Sequence, residues 1–183
     1  MVKLIETGFE GLYILEPKVF EDDRGYFFES YNKGSLSELG INTIFVQDNE
    51  SKSSYGVLRG LHFQLEPFAQ VKLVRAVQGV IYDVALDLRK DSSTFGKFFG
   101  TQLSDKNKRQ LYIPKGFAHG FSVLSDMVIV NYKCDNFYAK EYEQGINPFD
   151  KFLCIDWKID GNLALVSEKD RNSPDFSELK TFF

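Results

Sequence analysis

What most limits the fold of this chain is how short its apolar runs are. Leu12-Tyr13-Ile14-Leu15 ends at Pro17, and Tyr26 to Tyr31 follows the turn-forming Glu21-Asp22-Asp23-Arg24-Gly25. Ile44 to Asn49, Val71 to Gly79, Val80 to Leu88, Phe95 to Leu103, Gln110 to Ile113, Gly120 to Leu124, Met127 to Cys134 and Cys154 to Trp157 continue the series. Gly, Pro, Asn and Ser recur between these runs, the punctuation expected of strands joined by turns. The Gln78-Gly79 pair reads as a tight turn between two neighbouring strands. Ser35 to Leu39, closed by Gly40, is the best helix of the first half, and Ser167 to Phe183 reads as a polar, loop-like or partly helical tail. Many short strands with little helix predict an all-β antiparallel sandwich, barrel or jelly roll, whose mouth and interior would bind ligands.

A length of 183 residues and 21.0 kDa suits one domain spanning residues 1–183. Phe, Tyr and Trp make up 15% of the chain, which favours a β-rich interior over a helical bundle. A net charge of -4 and a pI near 5.3 argue against a nucleic-acid partner. No apolar run approaches the ~20 residues that span a bilayer, so no membrane partner is expected. Glu6 interrupts the apolar stretch a signal peptide would need, so the expected compartment is the cytoplasm, with Cys134 and Cys154 reduced on separate strands.

Metal-binding β-barrels commonly use a His-x-His pair, a later Glu and a further His. This chain has His62-Phe63-Gln64 and only one other histidine, His119. Two histidines do not supply that ligand set, and no metal is expected. Gly-x-Ser-x-Gly, Gly-x-Gly-x-x-Gly and Gly-x-x-x-x-Gly-Lys-Ser/Thr are all absent. Acid–base chemistry without a cofactor remains.

Gly56-Val57-Leu58-Arg59-Gly60-Leu61-His62 places a histidine, which titrates near neutrality, three positions after an arginine suited to phosphate or carboxylate. Taken alone, the pattern is more plainly a satisfied core histidine beside a surface arginine. Strict alternation sends Arg59 and His62 to opposite strand faces, and a bulge at Gly60 would be needed to reunite them. Alternation also puts Phe45, Gln47 and Asn49 on one face, Lys72 with Val74 and Ala76, and Asp83 with Ile81 and Ala85. His119 falls on a glycine-flanked loop leading into a strand. Tyr132 follows Val128 and Val130 inward, where a core tyrosine is the plainer reading. Ser167-Glu168-Lys169-Asp170-Arg171 reads as a solvated charged face.

Together, Phe20 to Glu29, Phe45 to Asn49, Gly56 to His62, Lys72 to Arg75, Ile113 to Phe121 and Ser167 to Asp170 resemble the dTDP-4-dehydrorhamnose 3,5-epimerase family almost from end to end. The resemblance implies a cupin-type jelly roll, used as a homodimer without metal or cofactor. It implies inversion of C3 and C5 in a 4-keto-6-deoxy nucleotide sugar, on the way to dTDP-L-rhamnose. A carbon beside a ketone loses its proton because the charge passes to the oxygen, so the reaction needs a base, an acid on the opposite face and a group for the oxyanion. By similarity His62 is the base, Asp170 its orienting carboxylate, Tyr132 the acid and Lys72 the enolate stabiliser. Arg24, Glu29, Gln47, Asn49, Arg59, His119, Tyr138, Glu143 and Arg171 are implied for binding, with Asp83 orienting His119. A single-carbon epimerase on a related nucleotide sugar, or a non-catalytic sugar-nucleotide-binding cupin, would share much of this pattern.

Overall fold

The computed structural model describes residues 2–183. In chain order its elements are β1 (Val2–Glu6), β2 (Tyr13–Pro17), β3 (Phe20–Asp22), β4 (Gly25–Phe27), α1 (Lys33–Glu38), β5 (Gln47–Ser54), β6 (Val57–Gln64) and β7 (Lys72–Gln78). There follow β8 (Val80–Asp87), β9 (Phe98–Ser104), β10 (Gln110–Ile113), β11 (Phe117–Val123), β12 (Met127–Cys134), β13 (Glu143–Gly145), β14 (Leu165–Val166) and α2 (Glu168–Arg171). One sheet has the order β1-β2-β10-β7-β12-β5 and the other β13-β6-β11-β8-β9, with β14 added in parallel against β6. The strands of β3 and β4 form a separate ribbon. From β5 to β8 and again from β9 to β12, successive strands alternate between the two sheets. This is the antiparallel jelly roll expected from the many short strands.

Alternation along each strand fills the space between the sheets. Ile14, Val74, Leu111, Val128 and Val130 from one sheet meet Ile81, Ala85, Leu103, Phe117, Phe121 and Val123 from the other. Both outer faces are covered as well. Leu36 and Ile41, in and just after α1, pack on Leu15, Leu73 and Tyr112. The C-terminal residues Phe176, Leu179, Phe182 and Phe183 pack with Trp157 on Leu58, Leu61, Phe63, Val84 and Leu86. The tail is therefore a structural cover of the second sheet, not a polar appendage.

Several boundaries move from their expected positions. β7 and β8 are not hairpin partners: they lie in different sheets, and Gly79 is the corner between them. Its φ of +78°, and a Cβ that would sit 2.2 Å from the Met127 carbonyl, reserve that corner for glycine. Phe28 to Tyr31 leaves the β3–β4 ribbon, and Tyr31 packs edge-on against Phe45. Phe45 precedes β5 and joins the outer cluster, so it does not share the face of Gln47 and Asn49. Cys154 to Trp157 is not a strand. Trp157 is anchored by its indole N–H to the Pro148 carbonyl and by its own carbonyl to Ser122. Cys134 is buried on β12, whereas Cys154 is exposed; both are free thiols. Among the described residues no helix is long and apolar enough to cross a membrane.

Candidate active site

At one end of the sandwich interior the inward positions become polar. Gln47, Asn49, Ser51 and Ser53 on β5, Lys72 on β7, and Tyr132 and Cys134 on β12 face Arg59 and His62 on β6, Asp83 on β8 and His119 on β11. A cavity of about 470 Å³ here is lined by Arg59, His62, Lys72, His119, Tyr132 and Asp170, with Ser51 and Lys169 beside them. It adjoins a second cavity, of about 410 Å³, which shares His62, Lys72 and Tyr132 and adds Gln47, Asn49, Tyr138 and Glu143.

The conflict between Arg59 and His62 is resolved by a bulge. Across β6 and β11, Arg59 pairs with Phe121 and His62 with His119, so Gly60 and Leu61 together oppose Gly120. Gly60 has φ +109°, and a Cβ there would lie 2.6 Å from both the His119 carbonyl oxygen and the Gly120 Cα. The extra residue returns His62 to the inner face that Arg59 already occupies. His119 lies within β11, not on the loop before it.

Asp170 arrives from 108 residues away on α2. The Ser167 hydroxyl oxygen caps that helix by accepting the Asp170 N–H. His62 Nε2 lies 2.8 Å from Asp170 Oδ1, and the Gly60 N–H donates to Oδ2 at 3.1 Å. Burial opposes the Asp170 charge, but His62, the Gly60 N–H and Ser167 together hold its carboxyl below the usual range. With Nε2–H donated to a carboxylate, the lone pair of His62 is on Nδ1.

Lys72 and Tyr132 come from the opposite sheet. Burial pushes the Lys72 pKa down, with Cys134, Asp83 and Glu143 acting the other way. Burial pushes the Tyr132 phenol up, which keeps it protonated at neutral pH. The space therefore has an imidazole on one wall and a proton-bearing phenol on the other. The Lys72 side chain lines the same space.

The remaining nominated residues divide by place. Arg59 Nε donates to Ser53, which leaves its terminal nitrogens for a ligand. Gln47 donates to Asn49 and accepts the Tyr138 N–H. Glu143 receives Tyr138 at 2.8 Å and Lys169 at 2.5 Å. Burial works against the Glu143 charge, but these two donors hold its carboxyl below the usual range. His119 Nε2 lies 2.8 Å from Asp83 Oδ1. Arg24, Glu29 and Arg171 do not line either cavity. Arg24 is exposed and paired with Asp22, Glu29 accepts from Asn32, and Arg171 is exposed on α2. Lys169 and Ser51 are among the polar cavity residues not singled out from the sequence. Lys169 is submerged in a charge run, and Ser51, whose hydroxyl is buried without a partner among the described residues, sits in a polar strand with no apolar contrast. Among the described residues no group of three or more His, Cys, Asp and Glu is placed to hold a metal ion.

Residues 6–178 match the family model described as dTDP-4-dehydrorhamnose 3,5-epimerase. The dTDP-4-dehydrorhamnose 3,5-epimerase of Shigella flexneri is 52% identical over 182 residues, covering 99% of each chain. The crystal structure of the dTDP-4-dehydrorhamnose 3,5-epimerase from Elizabethkingia anophelis superposes with a TM-score of 0.92 at 55% identity, covering 96% of this chain and 97% of that one. A dTDP-6-deoxy-D-glucose-3,5-epimerase from Legionella pneumophila, solved in complex with dTDP-4-keto-L-rhamnose, gives a TM-score of 0.93 at 45% identity, covering 98% of this chain and 95% of that one. The chain belongs to the dTDP-4-dehydrorhamnose 3,5-epimerase family.

Proposed function

We propose that this chain inverts C3 and C5 of dTDP-4-dehydro-6-deoxy-D-glucose to give dTDP-4-dehydro-L-rhamnose, in the biosynthesis of dTDP-L-rhamnose. His62 Nδ1 takes the proton from the carbon beside the ketone, and the electron pair moves onto the ketone oxygen as an enolate. Asp170 holds the ring and balances the imidazolium that forms. The Lys72 ammonium faces the enolate oxygen, where charge develops. Tyr132 returns a proton to the carbon from the other side, inverting it. The phenolate then regains a proton and His62 releases its own to solvent, which resets both groups for the second carbon. No redox partner enters the balance.

The observation that carries this reading is that His62 and Tyr132, from opposite sheets, line the same two cavities with Lys72. Binding alone requires no base and acid set face to face. For the substrate's diphosphate and base, Arg59, Lys169, Gln47, Asn49, Tyr138, Glu143 and His119 surround the same space. In this reading one domain carries all the catalytic groups and the chain works as a homodimer. Arg24 and Glu29 are remote from their own chain's cavity, and Phe20, Tyr26 and Phe27 beside Arg24 are exposed. The β3–β4 ribbon thus has the apolar surface to dock on a second copy, and Arg24 and Glu29 would reach substrate only there.

The test is incubation with dTDP-4-keto-6-deoxyglucose in heavy water. Deuterium entering at C3 and C5 is the expected result. Entry at one carbon would mark a single-carbon epimerase, and binding without any entry would mark a sugar-nucleotide carrier.

A further inference from the structure

Gln64 lines the second cavity from β6, two residues past His62 and on the same inward face. It is buried, and both hydrogens of its carboxamide are spent within the protein. They go to the Phe68 carbonyl at 2.7 Å and the Phe137 carbonyl at 3.2 Å, while Oε1 accepts the Ala139 N–H at 2.7 Å. A carboxamide nitrogen has two protons to give, so Gln64 keeps none for a ligand.

Two of these bonds bracket Tyr138. The Phe137 carbonyl and the Ala139 N–H belong to the two peptide units on either side of the Tyr138 Cα, and each unit is planar. The Tyr138 N–H itself donates to Gln47 Oε1 at 3.2 Å. Two carboxamides, one from each sheet, therefore fix the backbone at Tyr138. Little else does. Residues 135–139 lie between β12 and the next helical turn, with no strand ladder to hold them. Gln70 and Asn136 tie the start of that segment to residues 67–70, but neither bond reaches the peptide units of Tyr138. The Tyr138 ring is 54% exposed and makes its side-chain hydrogen bond to Glu143.

We propose that Gln64 is a positioning residue: it sets Tyr138 at the rim of the second cavity before any ligand arrives, so that the strand carrying His62 also places the nucleotide end of the substrate. This rests on the nucleotide-sugar reading above, in which Tyr138 is one of the groups around the substrate's nucleotide. A ring set in advance spares the ligand the cost of ordering the segment. Loss of Gln64 should therefore appear in binding and leave the proton transfers at His62 nearly as they were.

The experiment is a double-mutant cycle on dTDP binding, measured by calorimetry. Gln64→Met keeps the length of the side chain and removes all three hydrogen bonds. Alone it should weaken dTDP binding about tenfold and raise KM to match, with kcat changed less than about threefold. Tyr138→Ala should also cost about tenfold, and the double variant no more than about tenfold, because both changes remove the same placed ring. Independent losses that multiply to about 100-fold would overturn the proposal. A Gln64→Met chain that melts earlier yet binds dTDP like the native chain would reduce Gln64 to a structural residue. If that variant does not fold, amide exchange of the native chain decides. The Tyr138 and Ala139 N–H groups should be protected without ligand and little changed by dTDP; protection that appears only with dTDP would mean that the ligand orders the segment. A native chain that leaves dTDP unbound would remove the nucleotide reading and this role with it, whereas dTDP binding with independent losses would remove this role alone.

Discussion

The two histidines sit directly opposite each other on β6 and β11, each with Nε2 at 2.8 Å from an aspartate, yet they are different devices. The side chain of His62 is 29% exposed and that of Asp170 6%; for His119 and Asp83 the values are 8% and 0%. Asp170 receives a backbone N–H on its second oxygen, whereas that of Asp83 has no partner among the described residues. The His62 imidazole reaches solvent, as the base of the proposed reaction must. The other is enclosed, held neutral by burial, and suited to reading a hydrogen bond. The same pairing at different burial is what the proposed reaction asks of a proton carrier and of a fixed acceptor.

The sharpest way to break this contrast is to remove each ring. His62→Ala should lose about 10⁴-fold or more in turnover, with deuterium exchange gone at both carbons and the fold intact by circular dichroism. Persistent exchange would mean that another group is the base. Asp170→Asn comes next, at about 10³-fold, because the amide can favour the wrong tautomer while leaving the ring in place. His119→Ala should cost only about 10- to 100-fold, with at least part of it in KM, as expected for a lost hydrogen bond to substrate. Equal losses from His62→Ala and His119→Ala would erase the distinction.

How far the sequence announces this arrangement depends on the range over which each signal acts. Alternation is local, so the inward settings of Lys72, Asp83 and Tyr132 are readable from their neighbours, as is the two-sheet architecture from the many short runs. The conflict between Arg59 and His62 pointed to Gly60, and the bulge lies there. What fails is anything decided by distant chain. Gln78-Gly79 looks like a hairpin turn because a corner between sheets uses the same positive-φ glycine. Phe176, Leu179 and Phe183 recur at i, i+3 and i+7, a helical spacing, yet only a single turn forms at Phe176–Glu178, so the local pattern does not betray that they cover a sheet. The pairing of Asp170 with His62 spans 108 residues and was accessible only through the family likeness, as was the selection of His62 over a core histidine. Lys169, one residue from Asp170, was hidden by the very charges that surround it.

The smallest effect is one of stability, and it separates the two pairs by pH. The His119 pKa is lowered in the folded protein, mainly by burial, from an unfolded value of about 6.5. Below that value the unfolded chain binds a proton that the native chain refuses, so stability falls as pH drops from about 6.5 toward the folded pKa. The slope approaches about 1.4 kcal/mol per pH unit for one full proton. Asp170 is also lowered, and the stability it contributes is present above its unfolded value of about 3.9 and lost only below that, as pH falls through its folded pKa. The interval between pH 6.5 and 5 therefore reports His119 and not Asp170. Urea unfolding across that interval should show a flatter pH dependence for His119→Asn than for the native chain, while Asp170→Asn keeps the native slope. Parallel slopes for the native protein and His119→Asn would mean that His119 takes up its proton without unfolding, and that the enclosed pair is a second proton carrier after all.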